Sequence, residues 1–146
     1  MNLRQSNSGF SLIEVLVALM VLALGGLGLA ALQATTMRAG MSSHLRSQAV
    51  LIASDVMERL RSNRSAAMAG DYNITIAAVT PTGDGAAPLA DDDLAEWFVN
   101  HLTLLPSGDA LINCVNTGIC TVTVQWDDSR ADASAGARQF SFTSEI

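Results

Sequence analysis

Gly9-Phe10-Ser11-Leu12-Ile13-Glu14-Val15-Leu16-Val17-Ala18-Leu19-Met20-Val21-Leu22-Ala23-Leu24-Gly25-Gly26-Leu27-Gly28-Leu29-Ala30-Ala31-Leu32 is the stretch around which the chain is organised. From Phe10 to Leu32 the sequence is almost unbroken apolar, with one charge, Glu14. In helical form this run covers roughly 35 Å, enough to cross a hydrocarbon layer of about 30 Å. Its Leu, Val, Ile and Phe side chains together favour insertion by about 4–8 kcal/mol, against roughly 3 kcal/mol for one acid at a helix centre and less near an end. Insertion wins with Glu14 in place. A charge kept inside such a segment at that cost is a functional-site candidate.

A cleaved secretory signal would have a shorter apolar core, roughly 7–15 residues, and a small-residue cut site after it. A plain signal anchor accounts for the length and leaves Glu14 without a role. The flanking residues supply a third reading. Met1-Asn2-Leu3-Arg4-Gln5-Ser6-Asn7-Ser8-Gly9 is short, polar and cationic, ends in Gly, and is followed by Phe10-Ser11-Leu12-Ile13-Glu14. This junction resembles the signal of type IV pilin precursors and of the pseudopilins of type II secretion. The resemblance implies that a membrane-embedded prepilin peptidase cuts between Gly9 and Phe10 on the cytoplasmic side and methylates the new Phe10 amine. Phe10 and Glu14 then become the assembly residues. The amine is a cation at the membrane face, and a Glu14 carboxylate on a neighbouring helix can pair with it where the dielectric is low. The alternative for Glu14 is that it merely reaches back to the interface.

Residue charge divides the remainder. Arg38 to Arg64 carries five Arg against Asp55 and Glu58, whereas Asp71 to Ile146 carries two Arg against eleven acids. A surface at −9 repels phosphate backbones, so nucleic-acid binding is not expected there. Arg4 ahead of the span favours a cytoplasmic N-terminus, which puts the rest of the chain outside the cytoplasm. In that oxidising setting Cys114 and Cys120, with five residues between them, are expected to form a disulfide.

The long helix should continue past Leu32 to about residue 64–69. Met41, Leu45, Ala49, Ile52, Val56 and Leu60 form one stripe of helical period. Asp55 and Arg59 are spaced for an ion pair, and Gly70 suits a helix stop. Gly25, Gly26 and Gly28 suit close packing or local melting within the span. The chain therefore divides into a leader (1–9), a membrane-spanning half-helix (10–32), an amphipathic half-helix (33–69) and a globular periplasmic head (70–146). In the head, Tyr72 to Ile76 alternates like a strand and Pro81 to Pro88 reads as loop. Asp91-Asp92-Asp93 can cap a helix from about Asp92 to Leu105, with Leu94, Trp97, Phe98, Leu102 and Leu105 on its apolar face. Ala110–Cys114 and Cys120–Trp126 make a hairpin about Asn116-Thr117-Gly118. Asp127 to Gly136 is a polar loop, and Arg138 to Thr143 is a last strand. The fold class is α+β, a type IV pilin fold: a long N-terminal helix packed on a small antiparallel sheet.

No catalytic constellation, cofactor site or metal site is expected. His44 and His101 lack ligand partners at helical spacing. Asp91 to Asp93 and Asp127-Asp128 lack an EF-hand pattern and read as cap and turn residues. Asn63-Arg64-Ser65 and Asn73-Ile74-Thr75 match the short glycosylation pattern, which is often silent.

Within the pilins, Asp55-Val56-Met57-Glu58-Arg59-Leu60-Arg61-Ser62-Asn63-Arg64, Leu104-Leu105-Pro106-Ser107-Gly108 and Val122-Thr123-Val124-Gln125-Trp126-Asp127-Asp128 are similar to the PilV-type minor pilins, the type IV pilus modification proteins. That resemblance implies a non-enzymatic minor pilin. It would sit in the inner membrane as a single span and then in the pilus fibre, with other minor pilins and the major pilin as partners, and would prime pilus assembly. The competing readings are a minor pseudopilin of type II secretion and a tip adhesin or other ligand-binding module.

Overall fold

The computed structural model describes residues 9–77, 88–131 and 136–146. Its element order is helix α1 (Leu12–Ser62), helix α2 (Arg64–Ala69), helix α3 (Leu89–Asn100), a 3-10 turn (Leu102–Leu104), and strands β1 (Asp109–Cys114), β2 (Ile119–Asp127) and β3 (Ala137–Glu145). The strands form one antiparallel sheet in the order β1-β2-β3. This is a pilin-like α+β fold, as the sequence implies.

Packing divides the chain into two units, residues 1–37 and 38–146. In the first unit α1 is apolar on every side from Leu12 to Leu32 but for Glu14, and it is unbroken through Gly25, Gly26 and Gly28. In the second unit one face of α1 is core: Leu45, Ala49, Ile52, Ala53, Val56, Met57 and Leu60 are buried. Five of the six stripe residues are in that set. Met41, the sixth, is 42% exposed, so the buried stripe begins one turn later than the periodicity indicates. The amphipathic half of the helix thus shares a core with the head.

The helix ends are set by specific contacts. α1 stops at Ser62 because Asn63 leaves helical geometry (φ −119°, ψ 52°), where its amide donates to the Tyr72 hydroxyl at 3.1 Å. α2 adds a short run, and Gly70 closes it at φ 92°, the left-handed conformation expected of a C′ glycine. α3 begins at Leu89, three residues before the expected start, and Pro88 occupies the cap position. Asp91 and Asp92 therefore lie within its first turn, where they complement the helix dipole, and Asp93 follows inside the helix. The expected single helix to Leu105 ends at Asn100, and the 3-10 turn carries the chain on to Leu105.

Tyr72 to Ile76 is not a strand. It makes one isolated bridge, Ile74 to Ile112. Asn73 explains the difference: its side chain accepts from the Cys114 N–H at 2.7 Å and donates to the Cys114 carbonyl at 3.3 Å, replacing the backbone pairing a strand would provide. Ala77, at φ 62°, then turns the chain away with its N–H on Asp109 Oδ2. The expected Pro81–Pro88 loop lies outside the described residues except for Pro88, as do residues 132–135 of the Asp127–Gly136 loop.

The sheet alternates as a one-sided sheet should. Ala110, Ile112, Cys114, Cys120, Val122, Val124 and Trp126 are buried, and Phe140 and Phe142 pack at the margin of the core. On the other face Thr121–Thr143, Thr123–Ser141 and Gln125–Gln139 are hydrogen-bonded cross-strand pairs of 2.9, 2.8 and 2.7 Å. Cys114 and Cys120 are direct partners across the β1–β2 hairpin and are disulfide-bonded, with Cα atoms 4.1 Å apart. That spacing is close to that of a non-hydrogen-bonded pair.

Two expected outcomes follow from this packing. Reduction of the disulfide should destabilise the head by about 2 kcal/mol, the chain-entropy value for so short a loop; a Tm insensitive to reductant would contradict it. A Cβ on Gly108 would collide with the Leu102 carbonyl oxygen, whereas one on Gly40 meets nothing. Gly108→Ala should therefore cost about 1–3 kcal/mol in denaturant unfolding. Gly40→Ala should be neutral or stabilise by up to about 1 kcal/mol.

Candidate functional site

The N-terminal unit is built on the first turn of α1. Gly9 and Phe10 precede the helix, exposed and without regular structure; residues 1–8 lie outside the described residues. Ser11 caps the helix: its carbonyl accepts from the N–H groups of Glu14 (3.1 Å) and Val15 (3.3 Å), and its hydroxyl takes a long 3.4 Å bond from the Ile13 N–H. Ser11-Leu12-Ile13-Glu14 has the Ser-x-x-Glu spacing of a capping box, a signal the sequence reading missed. The box itself is not closed: the Ser11 hydroxyl takes the Ile13 N–H and not that of Glu14, and no bond from the Glu14 carboxylate returns to Ser11. Among the described residues the Glu14 carboxylate has no hydrogen-bond or ion-pair partner. Phe10, Glu14, Val15, Ala18, Leu19 and Leu22 line a shallow groove along this face, apolar but for that acid.

Among the described residues α1 is the one helix long and apolar enough to cross a membrane. Its most apolar window has mean hydropathy 2.6, and none of that window is buried within the chain. A carboxylate one turn into such a surface, with no partner of its own, can recruit a cation from another helix; it has no arrangement for chemistry.

At the far end of α1 the residues Asp55 to Arg64 act together as a tie to the head. Arg59 donates to Asp55 at 3.1 Å, the anticipated ion pair, and also reaches Glu96 at 3.3 Å and the Asp93 carbonyl at 3.4 Å. The Tyr72 hydroxyl, itself approached by Asn63, donates to Asp93 Oδ2 at 2.6 Å. Arg61 bonds Glu58 and also Ser144 Oγ (2.7 Å), and Arg64 donates to the Ile146 carbonyl at 2.7 Å. Trp97 donates its indole N–H to the Ile52 carbonyl within the core. Apart from the helical-spacing pairs Asp55–Arg59 and Glu58–Arg61, these partners were not readable from spacing.

The residues considered for other chemistry have structural contacts. His101 lies 3.8 Å from Asp55, and its buried Nδ1 has no hydrogen-bond partner. Asp127 accepts from the Ser129 N–H and hydroxyl, forming a turn. Asn63 and Asn73, of the two glycosylation-pattern triplets, both spend their amides internally. Among the described residues no three His, Cys, Asp or Glu side chains group as a metal site.

An exposed apolar helix with one acid in its first turn, unpaired among the described residues, continued into an α+β head, fits a membrane-anchored pilin-like subunit. Comparison with known families agrees: residues 4–30 match the prokaryotic N-terminal methylation motif, and residues 31–87 match the family described as Tt1218-like, type IV pilin Tt1218. The two matches adjoin, and over residues 4–87 they make the chain similar to the type IV pilins. Members of that family are structural subunits rather than enzymes. No curated protein and no solved structure gives a significant match.

Tyr72 is the chain's one tyrosine, and the chain has no lysine, so its alkaline titration can be read cleanly. Burial, reinforced by the hydrogen bond to Asp93, pushes its phenol up to about 12. The raised value means the folded state holds the proton more tightly than the unfolded state. The resulting stabilisation is complete below the unfolded pKa of about 10 and is lost as pH rises towards 12. Unfolding free energy should therefore fall over that window, with tyrosinate absorbance appearing late. Tyr72→Phe should flatten the alkaline slope; an equally steep slope in that variant would show that another group causes it.

Proposed function

We propose that this chain is a minor pilin of the PilV type, a structural subunit that joins other minor pilins in the inner membrane, primes pilus assembly and enters the fibre with the major pilin. It is a substrate of the prepilin peptidase and has no catalysis of its own. The peptidase cuts between Gly9 and Phe10 and methylates the Phe10 amine. Residues 10–32 hold the chain in the membrane with its N-terminus cytoplasmic, and the head, cross-linked by Cys114–Cys120, lies in the periplasm.

The observation that carries the reading is the unpartnered Glu14 carboxylate on an otherwise apolar helix surface. In hydrocarbon an unpaired carboxylate is costly, and pairing with the Phe10 amine of a neighbouring subunit removes that cost while fixing axial register. The capping role of the first turn does not compete, because it uses Ser11 and the backbone and leaves the Glu14 oxygens free. PilV-type identity is supported by the sequence of the helix end, where Asp55 to Arg64 supply the ties to the head.

Glu14→Lys is the direct test. It should leave membrane insertion, cleavage after Gly9 and head folding intact, and should abolish recovery of the subunit in sheared pili; normal incorporation would refute the pairing. Deletion of the gene, scored for surface pili and for type II-secreted enzymes in one strain, separates the two machines. Loss of pili with secretion intact supports the minor pilin. The reverse would make the chain a minor pseudopilin.

A further inference from the structure

One corner of the head contains polar groups that its own residues do not satisfy. Ser42 and Arg46 of α1, Trp126 and Asp128 at the end of β2, and Arg138 and Gln139 at the start of β3 line a hollow of about 290 Å3. Asp128, beside the core, is a buried charged residue, 2% exposed. Its Oδ2 accepts from the Ser42 hydroxyl at 2.7 Å and lies 3.8 Å from Arg138 Nε, while its Oδ1 has no hydrogen-bond partner among the described residues. The Trp126 indole N–H is buried and has no hydrogen-bond partner among the described residues. Arg46 is exposed and makes no hydrogen bond or ion pair among the described residues. Leaving a buried donor or acceptor unmade is expensive, about 1–3 kcal/mol each and more for a charged group. Two such atoms beside one polar hollow mark it as a place where an external polar partner could bind.

The lining narrows the ligand. Two guanidiniums at the hollow disfavour a cation. The buried Asp128 carboxylate and a packing unit with more acids than arginines disfavour an anion. A neutral group is needed that donates to a carboxylate oxygen and accepts from an indole N–H and from guanidinium. A hydroxyl does both, and adjacent hydroxyls on a ring present several at fixed spacing. The volume exceeds what one ordered water requires and sits at the small end of ligand pockets, on the scale of one sugar ring. We propose that this hollow is a binding site for a neutral saccharide, its hydroxyls meeting Asp128, Trp126, Arg46 and Arg138. Neither Asp128 Oδ1 nor the Trp126 N–H is open to bulk solvent, so engagement of these two includes a local side-chain shift. The head would then carry a recognition function in addition to its part in assembly, and that function does not depend on which machine the subunit serves.

The two tryptophans make the test specific. With the full chain 15N-labelled in a detergent that has no sugar headgroup, two indole N–H signals are expected. Trp97, already bonded to the Ile52 carbonyl at 3.2 Å, is the internal reference. Titration with methyl glucoside, methyl galactoside and methyl mannoside should move the Trp126 signal saturably for at least one sugar and leave Trp97 in place. Arg46→Ala, at an exposed position, should weaken that binding about tenfold or more without altering the fold. Asp128→Asn should also weaken it; because Asp128 is buried, the Arg46 variant decides the outcome if Asp128→Asn does not fold. The proposal is overturned if no sugar moves Trp126, if Trp126 and Trp97 shift alike, if sodium sulfate reproduces the shift, or if Arg46→Ala binds as the unaltered chain does.

Discussion

One continuous helix has to satisfy two solvents, and the rest of the molecule follows from that. Through its first twenty or so residues α1 is apolar on every side; beyond Arg38 it is apolar on one face only. The first surface has no counterpart in the chain, because every buried residue of the core lies at or after Leu45. It has to be covered by lipid or by other helices. The second surface is covered within the chain by α3, the sheet and Tyr72. The change from all-round to one-sided hydrophobicity therefore divides the helix between what is satisfied within one subunit and what has to be satisfied by something else.

The helix end secures the second arrangement. An amphipathic helix on a small three-stranded sheet offers limited apolar area, and a domain of about a hundred residues has a modest core. Asp55 to Arg64 add directional contacts around that core: Arg59 reaches α3, Arg61 and Arg64 reach the end of β3 and the last residue, and Asn63 reaches Tyr72. Individually, exposed pairs of this kind are worth little. Their geometric effect is larger, because they fix the rotation of α1 against the head and so fix which face of the helix is left outward.

Long-period and composition-based features were legible in the sequence. The span, the stripe from Leu45 to Leu60, the Gly70 stop, the Cys114–Cys120 hairpin and the alternation of β2 all follow from side-chain periodicity or from residues with special backbone needs. The misses share a different cause. Tyr72 to Ile76 alternates like a strand, but Asn73 bonds the Cys114 backbone through its side chain, a tertiary contact no local pattern encodes. The early stop at Ser62 likewise comes from Asn63 turning towards Tyr72, and the earlier start of α3 comes from Pro88 taking the cap that Asp91 to Asp93 were expected to supply. At the candidate assembly site the position of Glu14 was legible from its isolation among apolar residues.

Two carboxylates, Glu14 and Asp128, stand out for what they lack. Each sits where water is scarce or is expected to be, and each has oxygen atoms that the described chain does not satisfy. Their local supports differ. Glu14 lies on a helix face with no hydrogen bond or ion pair to its carboxylate among the described residues, which leaves that carboxylate available to a neighbouring helix. Asp128 is fixed on one oxygen by Ser42, and its other oxygen is buried, so a ligand in the hollow reaches it only with a local side-chain shift. The first arrangement selects for charge and register, as stacking of like subunits requires. The second selects for hydrogen-bond pattern, as recognition of a small polar ligand requires. Stacking alone does not call for the second, and a buried, half-satisfied acid carries a desolvation cost. That Asp128 is present is therefore the strongest physical reason to look for a ligand on the head.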